Sequence, residues 1–244
     1  MMSLANIRQK AKLKPPRFVL YGPGGIGKTT FASSMGKCII VQAEDGIGKI
    51  ENPHFDVAKT FTEFMDNLNS LLTEDHEYKS VAIDSLDWLE VLMWDYVCKQ
   101  NGWDHISSAA YGKGYTAAIE QWRTYLEVLN KLRDEKSMTV IQIAHNQIRR
   151  YEDPSQEPHD RHEIKLHRKA ADLIVEHSDA VFFANYKVGN IQVKGKNGGM
   201  TTRTVAGDRT IFTEASPGYM AKNRYGLDAE MPFDWEEIRK QMIK

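Results

Sequence analysis

Residues 17–30 read Arg17-Phe18-Val19-Leu20-Tyr21-Gly22-Pro23-Gly24-Gly25-Ile26-Gly27-Lys28-Thr29-Thr30 and contain a complete phosphate-binding motif. The pattern G-x-x-x-x-G-K-[ST] begins at Gly22 and ends on Gly27-Lys28-Thr29. Glycines let the backbone curl so that successive N–H groups point at phosphate oxygens. The apolar run before the motif predicts a strand, and residues 28–35 predict a helix whose N-terminus faces the bound anion. The stretch therefore predicts a nucleoside triphosphate site.

Two side chains of this motif have distinct predicted roles. Lys28 places a positive charge near the β- and γ-phosphates, and the Thr29 hydroxyl is a hard oxygen ligand suited to Mg²⁺. ATP and Mg²⁺ are therefore the expected ligands. The other predicted nucleotide-binding positions belong to the loop and the first turn of its helix: Gly22, Pro23, Gly24, Gly25, Ile26, Gly27 and Thr30.

Composition is that of an ordinary soluble protein. Of the 244 residues, 41% are hydrophobic and 27% are charged. A chain of this length is enough for one large α/β domain. The net charge is −1, so any nucleic-acid contact must come from local patches. Cys38 and Cys98 lie in apolar surroundings without metal-binding spacing, which predicts reduced core residues. Because there is no span-length apolar run and no secretory hydrophobic region in residues 1–14, we expect a cytoplasmic protein without a membrane partner.

Apolar patterns after the loop predict alternating strands and helices. Buried strands are expected at 38–42, 80–85, 138–144 and 179–186, and helices at 61–73, 86–100, 117–135 and 168–176. This order predicts an α/β fold with a mostly parallel central sheet and helices on both faces. Residues 188–194 and 201–205 flank Lys196-Asn197-Gly198-Gly199, which predicts a C-terminal β-hairpin.

The segments between these elements are read as irregular. Residues 101–116 contain three glycines, and residues 149–169 mix six basic with five acidic side chains. Both are expected to be polar, mobile loops. Residues 216–235 are expected to be irregular before a short closing helix.

Acidic residues follow two of the predicted buried strands. Asp84 ends one strand and is the natural partner of a Mg²⁺ ion held by Thr29. Glu44 ends another and is a candidate to orient or deprotonate the attacking water. Asp45 is its rival for that role.

Three strand-end motifs resemble the core of RecA-like recombinases over about residues 17–186: Gln42-Ala43-Glu44, Ile83-Asp84-Ser85 and Asn146-Gln147-Ile148-Arg149. The resemblance implies a RecA-like P-loop NTPase fold. It also implies that Glu44 is the catalytic base, that Asp84 supports Mg²⁺, and that Gln147 senses the γ-phosphate and opens a second DNA-binding loop. His145, an extra polar residue before Asn146, competes with Gln147 for the sensor role.

A later stretch, Lys222-Asn223-Arg224-Tyr225-Gly226, is similar to the K-N-R-F-G signature of RadA-type relatives, with Tyr in place of Phe. The similarity implies that Lys222 and Arg224 reach the nucleotide of a neighbouring subunit. The whole chain is similar to phage-encoded RecA-like ATPases of the Sak single-strand-annealing group. That likeness implies self-assembly as a filament or ring, single-stranded DNA and a single-strand DNA-binding protein as partners, and the host cytoplasm as the location.

Predicted DNA contacts are Lys113, Arg149 and Arg150. Residues 101–116 correspond to the first DNA loop of the resembled family, where Tyr111 and Tyr115 on either side of Lys113 either stack on bases or face the core. The predicted organisation is a basic lead-in at 1–16, an ATPase core at 17–215 and a C-terminal segment with the basic motif and a short helix at 216–244.

The sequence therefore predicts a magnesium-requiring, DNA-dependent ATPase of DNA recombination or strand annealing. The alternatives are a RecA-fold ring motor of the replicative helicase type and a nucleotide-switch ATPase without a DNA role. Pro23 stands where switch ATPases of the ParA and MinD type carry their signature lysine, which disfavours that class. A small-molecule kinase is disfavoured, because the sequence shows no recognisable arginine-rich lid. The chain is expected to be too short for helicase accessory domains.

Overall fold

The computed structural model describes residues 14–194 and 200–242. The strands are β1 (Arg17–Gly22), β2 (Cys38–Gln42), β3 (Ser80–Asp84), β4 (Thr139–Asp153), β5 (Gln156–Ile164), β6 (Ala180–Lys194), β7 (Met200–Phe212), β8 (Lys222–Asn223) and β9 (Glu230–Pro232). The helices are α1 (Lys28–Ser33), α2 (Phe61–Thr73), α3 (Leu86–Asn101), α4 (Lys113–Asp134), α5 (Arg168–His177) and α6 (Trp235–Met242).

A single sheet runs through the molecule in the order β2-β3-β4-β1-β6-β7-β9, with β5 paired to β4 and β8 paired to β6. Strands β2, β3, β4, β1 and β6 are mutually parallel, and the other pairings are antiparallel. Gly22 lies level with His145, and Gln42 lies level with Asp84. The ends of β1, β2 and β3 therefore meet at one edge of the sheet, which we call the carboxyl edge.

Both faces of the sheet are covered, because the central strands carry apolar residues on each side. Val19 and Tyr21 of β1 point into a core formed with α2, α3, α4 and α5. Phe18 and Leu20 point into a second core, formed with α1 and α6. Burial on both faces gives the unbroken apolar runs that are typical of parallel strands. The predicted α/β P-loop class, with a mostly parallel sheet and helices on both faces, is confirmed, as is the pairing of β6 with β7.

The turn of the predicted C-terminal hairpin, Lys196 to Gly199, lies outside the described residues.

None of the helices in the described ranges is both long and apolar enough to cross a membrane. Cys38 and Cys98 are free and buried, as predicted.

The prediction of a mobile loop at 149–169 is wrong. Strand β4 continues past the sheet to Asp153, and β5 pairs with this extension in an antiparallel hairpin, with Arg149 opposite Arg161 and Tyr151 opposite His159. Most side chains here are polar or charged on both faces of the hairpin. The hydrophobic alternation that reveals a half-buried strand is therefore missing from the sequence.

The prediction for 101–116 is wrong in its second half. Two single 3₁₀ turns cover Ile106–Ser108 and Ala110–Gly112, and α4 begins at Lys113 rather than at 117. Gly114 lies inside the helix, where a Cβ atom would approach the carbonyl oxygen of Ile106 to 2.1 Å. That glycine therefore serves close packing, although in the sequence it reads as a loop residue.

The C-terminal segment is packed onto the rest of the chain. The region expected to be irregular contains the short strands β8 and β9, and both join the main sheet. Trp235 of α6 stacks on Phe18 of β1 with ring centroids 5.7 Å apart. The predicted division at residue 216 stays a prediction.

Candidate active site

The phosphate loop connects β1 to α1 and depends on two glycines for its shape. A Cβ atom at Gly22 would lie 2.2 Å from the carbonyl oxygen of Ala184 on β6, so the close approach of the two strands requires glycine there. Gly27 has a φ angle of +102°, a conformation that side-chain-bearing residues rarely adopt. The loop glycines thus set the backbone path that brings Lys28 to the start of α1.

Lys28 is held inside the loop. Its Nζ atom donates to the carbonyl oxygens of Gly22 and Pro23, both at 3.0 Å. Burial lowers the pKa of this ammonium group, and the carboxylates of Asp84, Asp87 and Glu44 act in the opposite direction. The charged form of a poorly solvated ammonium group at this position is stabilised when phosphate oxygens supply further negative charge.

Thr29 and Asp84 meet across the carboxyl edge. The Thr29 hydroxyl donates to Oδ2 of Asp84 at 2.7 Å. Burial raises the pKa of the Asp84 carboxyl group, against the hydrogen bond from Thr29. A hydroxyl and a carboxylate next to the phosphate loop are the oxygen ligands that Mg²⁺ takes in nucleotide sites, and a cation there would favour the ionised form of the buried acid. The donor set therefore fits Mg²⁺.

Glu44 lies two residues beyond the end of β2 and is half-buried. Its Oε1 atom accepts a hydrogen bond of 2.5 Å from the Ser85 hydroxyl and lies 3.9 Å from Nδ1 of His145. Asp45 is exposed to solvent. Of the two candidate carboxylates, the structure brings Glu44 together with Ser85, just beyond β3, and with His145 of β4.

His145 is held by Asp87, a residue that the sequence did not single out. The backbone N–H of His145 donates to Oδ1 of Asp87 at 3.0 Å, and the ring Nδ1 lies 3.1 Å from Oδ2. Burial acts to raise the pKa of Asp87, but the hydrogen bonds from His145 outweigh it and the pKa is about 2. Because an ionised carboxylate only accepts, Nδ1 is the protonated ring nitrogen.

Gln147 is hydrogen-bonded at the base of the β4–β5 hairpin. Its side-chain amide donates to the carbonyl oxygens of Ile164 and Leu166, at 2.8 and 3.3 Å. Of the two sensor candidates, the structure places His145 beside Glu44 and Gln147 against the end of the β4–β5 hairpin.

A groove of about 410 Å³ lies beside the carboxyl edge, between α3, the start of α4 and the hairpin. Trp88 is half-exposed on one wall, and the Tyr115 ring stacks on His167 with centroids 4.3 Å apart. Arg149 lines the groove and donates to the carbonyl oxygen of Leu166. Of the other predicted DNA contacts, Lys113 and Arg150 are exposed outside the groove.

Glu90 is a buried acid at the floor of this groove, and both of its carboxylate oxygens lie within 3.1 Å of the backbone nitrogen of His167. Burial raises its pKa to about 7. The folded chain therefore keeps this proton to about pH 7, whereas the unfolded chain releases it near pH 4.5. Between these values the native state binds more protons, so this group makes stability fall as pH rises.

The Glu90→Gln variant is expected to lose that dependence, because an amide does not titrate in this range. The free energy of unfolding of the variant minus that of the wild type should therefore rise by about 1–3 kcal/mol from pH 5 to pH 8. Urea unfolding at the two pH values measures the difference. Glu120→Gln, at an exposed site on α4, is the matched control and should follow the wild type. Parallel pH profiles for Glu90→Gln and the wild type would show that Glu90 is ionised in the folded chain.

Lys222 and Arg224 lie at the opposite edge of the sheet from the phosphate loop. Strand β8 pairs with the start of β6, beside the start of β1. Lys222 donates to the last carbonyl groups of α5, those of Val175 and Glu176. The Arg224 side chain is 56% exposed, with one guanidinium nitrogen 3.7 Å from Asp179. Neither side chain lies at the phosphate loop of this chain.

One further side chain at the loop was missed from the sequence. Arg209 of β7 donates from Nη1 to the carbonyl oxygen of Ile26 at 3.2 Å. It lies 183 residues beyond Ile26, and no local pattern marks it.

Comparison with known proteins identifies the family. A family model described as AAA domain matches residues 14–225. None of the curated proteins compared with the chain matches it in sequence. A solved structure, described as the crystal structure of the RadB recombinase, is similar with a TM-score of 0.49 and 15% identity, over 88% of this chain and 85% of that chain. That likeness is too weak to carry a functional argument. Because the family model spans most of the chain, including the complete phosphate loop and Asp84, this protein belongs to the AAA-domain family and is a P-loop ATPase.

Proposed function

We propose that this chain is a magnesium-dependent ATPase of DNA recombination that binds single-stranded DNA as an oligomer, in the manner of phage RecA-like recombinases and annealing proteins. The observation that carries the proposal is the meeting of the phosphate loop, Asp84 and Glu44 at the carboxyl edge. Phosphoryl transfer to water needs a cradle for the phosphates, ligands for a metal ion and a group that aligns the water. These three parts converge here.

In this proposal Thr29 and Asp84 hold Mg²⁺, which when bound neutralises charge on the β- and γ-phosphates. Lys28 exchanges the carbonyl oxygens of Gly22 and Pro23 for phosphate oxygens. Since those carbonyls belong to the loop itself, the ammonium group is already positioned and reorganises little on binding.

Glu44 acts as the general base. The Ser85 hydroxyl fixes Oε1, which orients the carboxylate so that Oε2 takes the proton of the attacking water. His145, protonated at Nδ1 and oriented by Asp87, lies close enough to Glu44 to respond to the γ-phosphate. We therefore assign the sensor role to His145 and propose that Gln147 links the site to the hairpin.

Single-stranded DNA binds, in this proposal, on the side of the hairpin and the start of α4. Tyr111 is fully exposed, and exposed Lys113 follows it at the start of α4. Arg150 is exposed on the hairpin, and Arg149 lines the groove between the two. Exposed aromatic rings next to cations are the means by which proteins bind single strands without reading sequence.

The position of Arg224 supports an active site completed between subunits. Arg224 lies at one edge of the sheet and the phosphate loop at the other, so a head-to-tail contact would bring the two together. A cation delivered to the γ-phosphate from a second subunit accelerates phosphoryl transfer in other P-loop enzymes. Hydrolysis would then depend on assembly, with single-stranded DNA as the organiser.

Mixing two inactive variants tests this arrangement. Lys28→Ala lacks the loop cation and Arg224→Ala lacks the proposed finger, so each alone should hydrolyse ATP at least about 10²-fold more slowly than the wild type. A mixture on single-stranded DNA should recover part of the activity, because some interfaces pair an intact loop with an intact Arg224. Phosphate release is the measurement.

The control mixture combines Lys28→Ala with Glu44→Gln. Both changes lie in the same subunit's half of the site, so no interface can be complete and this mixture should stay inactive. Equal inactivity of both mixtures, with assembly retained, would show that Arg224 does not act at the site.

The expected DNA activity of the wild-type protein is strand annealing rather than duplex unwinding. Unwinding would instead favour a helicase-type motor.

A further inference from the structure

One large aromatic side chain beside the candidate active site leaves its ring open to a ligand. Trp88, on the outer side of α3, is 49% exposed, and Val91, about one turn further along the helix, is 43% exposed. Both line the groove of about 410 Å³ between α3, the start of α4 and the β4–β5 hairpin. Among the described residues, neither another aromatic ring nor a cationic group stacks on Trp88. The groove therefore offers a free aromatic face next to an apolar side chain.

The other aromatic side chains of the groove are already packed against one another. Trp94 meets the Tyr115 ring edge-on, with ring centroids 5.6 Å apart, and the His167 ring stacks flat on Tyr115. Because both neighbours hold Tyr115 in the wall, Trp88 is the ring that remains for a ligand. The groove volume falls within the roughly 300–1,000 Å³ of small-molecule sites, which is room for one heterocycle with part of its sugar.

The floor of the groove has spare hydrogen-bonding capacity. Glu90 is only 5% exposed. Within the described residues its two carboxyl oxygens share a single donor, the backbone N–H of His167. A carboxyl group buried with one donor for two oxygens is costly, because its other lone pairs have lost their contact with water. A ligand that brings a further N–H group would complete its hydrogen bonding.

The charges of the groove favour an anionic ligand. Arg149 and Lys165 are its two cations, and Lys165 is 57% exposed, with its Nζ atom 3.6 Å from Asp87. Of the two lining acids, Asp87 is ionised, whereas Glu90, whose pKa burial raises to about 7, carries only part of a charge at neutral pH. Burial lowers the pKa of His167, so this ring is neutral. Positive charge therefore exceeds negative charge, and phosphate groups are attracted.

We propose that this groove takes one base of a bound single strand out of the stack of its neighbours, a refinement that rests on the proposed binding of single-stranded DNA. The base stacks on Trp88, an N–H of its edge donates to Glu90, and the flanking phosphates pair with Arg149 and Lys165. Removing a base from its stack costs least in a strand that is already single. Trp88 and Glu90 lie on α3, outside both loop segments that the resemblance to RecA-like recombinases associates with DNA.

The pocket requires a base but not a particular one. Each of the four bases carries an N–H group on its Watson–Crick edge and a flat face that stacks on an indole ring. A chain of phosphates without bases would still meet Arg149 and Lys165, but it would leave Trp88 and Glu90 without contacts.

Two oligonucleotides of equal length separate the base pocket from the phosphate contacts. Oligothymidylate carries bases, whereas a fully abasic deoxyribose-phosphate chain carries the same phosphates without them. Trp88→Ala is expected to weaken the binding of oligothymidylate by about 5- to 100-fold, the range for loss of one stacked base. Its affinity for the abasic chain should equal that of the wild type. Fluorescence anisotropy of end-labelled oligonucleotides, with Mg²⁺ and ATP present, measures both.

Further variants distinguish stacking from apolar contact. Trp88→Phe keeps a flat aromatic face and should bind oligothymidylate nearly as well as the wild type. Trp88→Leu keeps apolar bulk without a ring and should behave like Trp88→Ala. Tyr186→Ala is the matched control, because Tyr186 is an aromatic residue of similar exposure on β6, outside the groove. It should bind both oligonucleotides like the wild type.

Unchanged affinity of Trp88→Ala for oligothymidylate, or equal losses on the two oligonucleotides, would overturn the base pocket and leave DNA binding in place. Unchanged DNA affinity together with weaker self-association in sedimentation would assign the groove to a second copy of the chain instead. Failure of the wild-type protein to bind either oligonucleotide would refute the proposed DNA function itself, and the pocket with it.

Discussion

Replacing Lys28 by alanine is expected to reduce ATP hydrolysis by at least about 10²-fold, the usual loss when one charge-stabilising donor is removed from a site. Nζ of Lys28 donates to the carbonyl oxygens of Gly22 and Pro23, where the proposed function places the phosphates. The truncation empties no part of either hydrophobic core, so the fold should remain intact.

Phosphate release by purified protein on single-stranded DNA measures the effect, and circular dichroism checks the fold. Lys37→Ala is the matched control, because Lys37 lies just beyond the same helix in an exposed ion pair with Glu77. The control should hydrolyse ATP at the wild-type rate. Wild-type turnover in a folded Lys28→Ala variant would mean that hydrolysis takes place elsewhere on the molecule.

Glu44→Gln is expected to lower hydrolysis by about 10²- to 10⁴-fold, the contribution typical of a general base. An amide of the same size can still accept the Ser85 hydrogen bond, but it cannot take a proton from water. Nucleotide binding should therefore be retained. Single-turnover hydrolysis and equilibrium binding of ATP separate the two properties.

Asp45→Asn is the control for Glu44→Gln, because it removes the neighbouring carboxylate at an exposed position. It should leave hydrolysis unchanged. The opposite pattern, with Asp45→Asn inactive and Glu44→Gln active, would assign the base to Asp45.

The parallel sheet was predictable because its strands are buried on both faces. Residues 38–42 and 80–84 are buried throughout, and their sequences are short apolar runs bounded by polar turns. Such runs depend only on local composition, so they can be read without tertiary information. The β4–β5 hairpin was missed because the half-buried face of the β4 extension carries Arg149, Tyr151 and Asp153. Most of these side chains are polar, so the alternation in burial does not appear as an alternation in hydrophobicity.

The distinction between features set by local sequence and features set by tertiary packing also applies to the site. Lys28 and Thr29 were predictable because the phosphate loop is contiguous, and Asp84 because an acid at the end of a buried strand falls at the carboxyl edge. Asp87 and Arg209 were not, since each reaches its place through tertiary packing. Asp87 looks like any acid in the first turn of a helix, and Arg209 looks like any cation of a hairpin strand.

The central claim is that a magnesium–nucleotide complex is hydrolysed between the phosphate loop, Asp84 and Glu44, in an assembly organised by single-stranded DNA. The most direct measurement is steady-state phosphate release from ATP by the wild-type protein, with and without single-stranded DNA, in Mg²⁺ and in excess chelator. The account predicts turnover that requires Mg²⁺ and rises when DNA is added. Turnover that continues at the same rate in chelator, or that is absent under all four conditions, would contradict it.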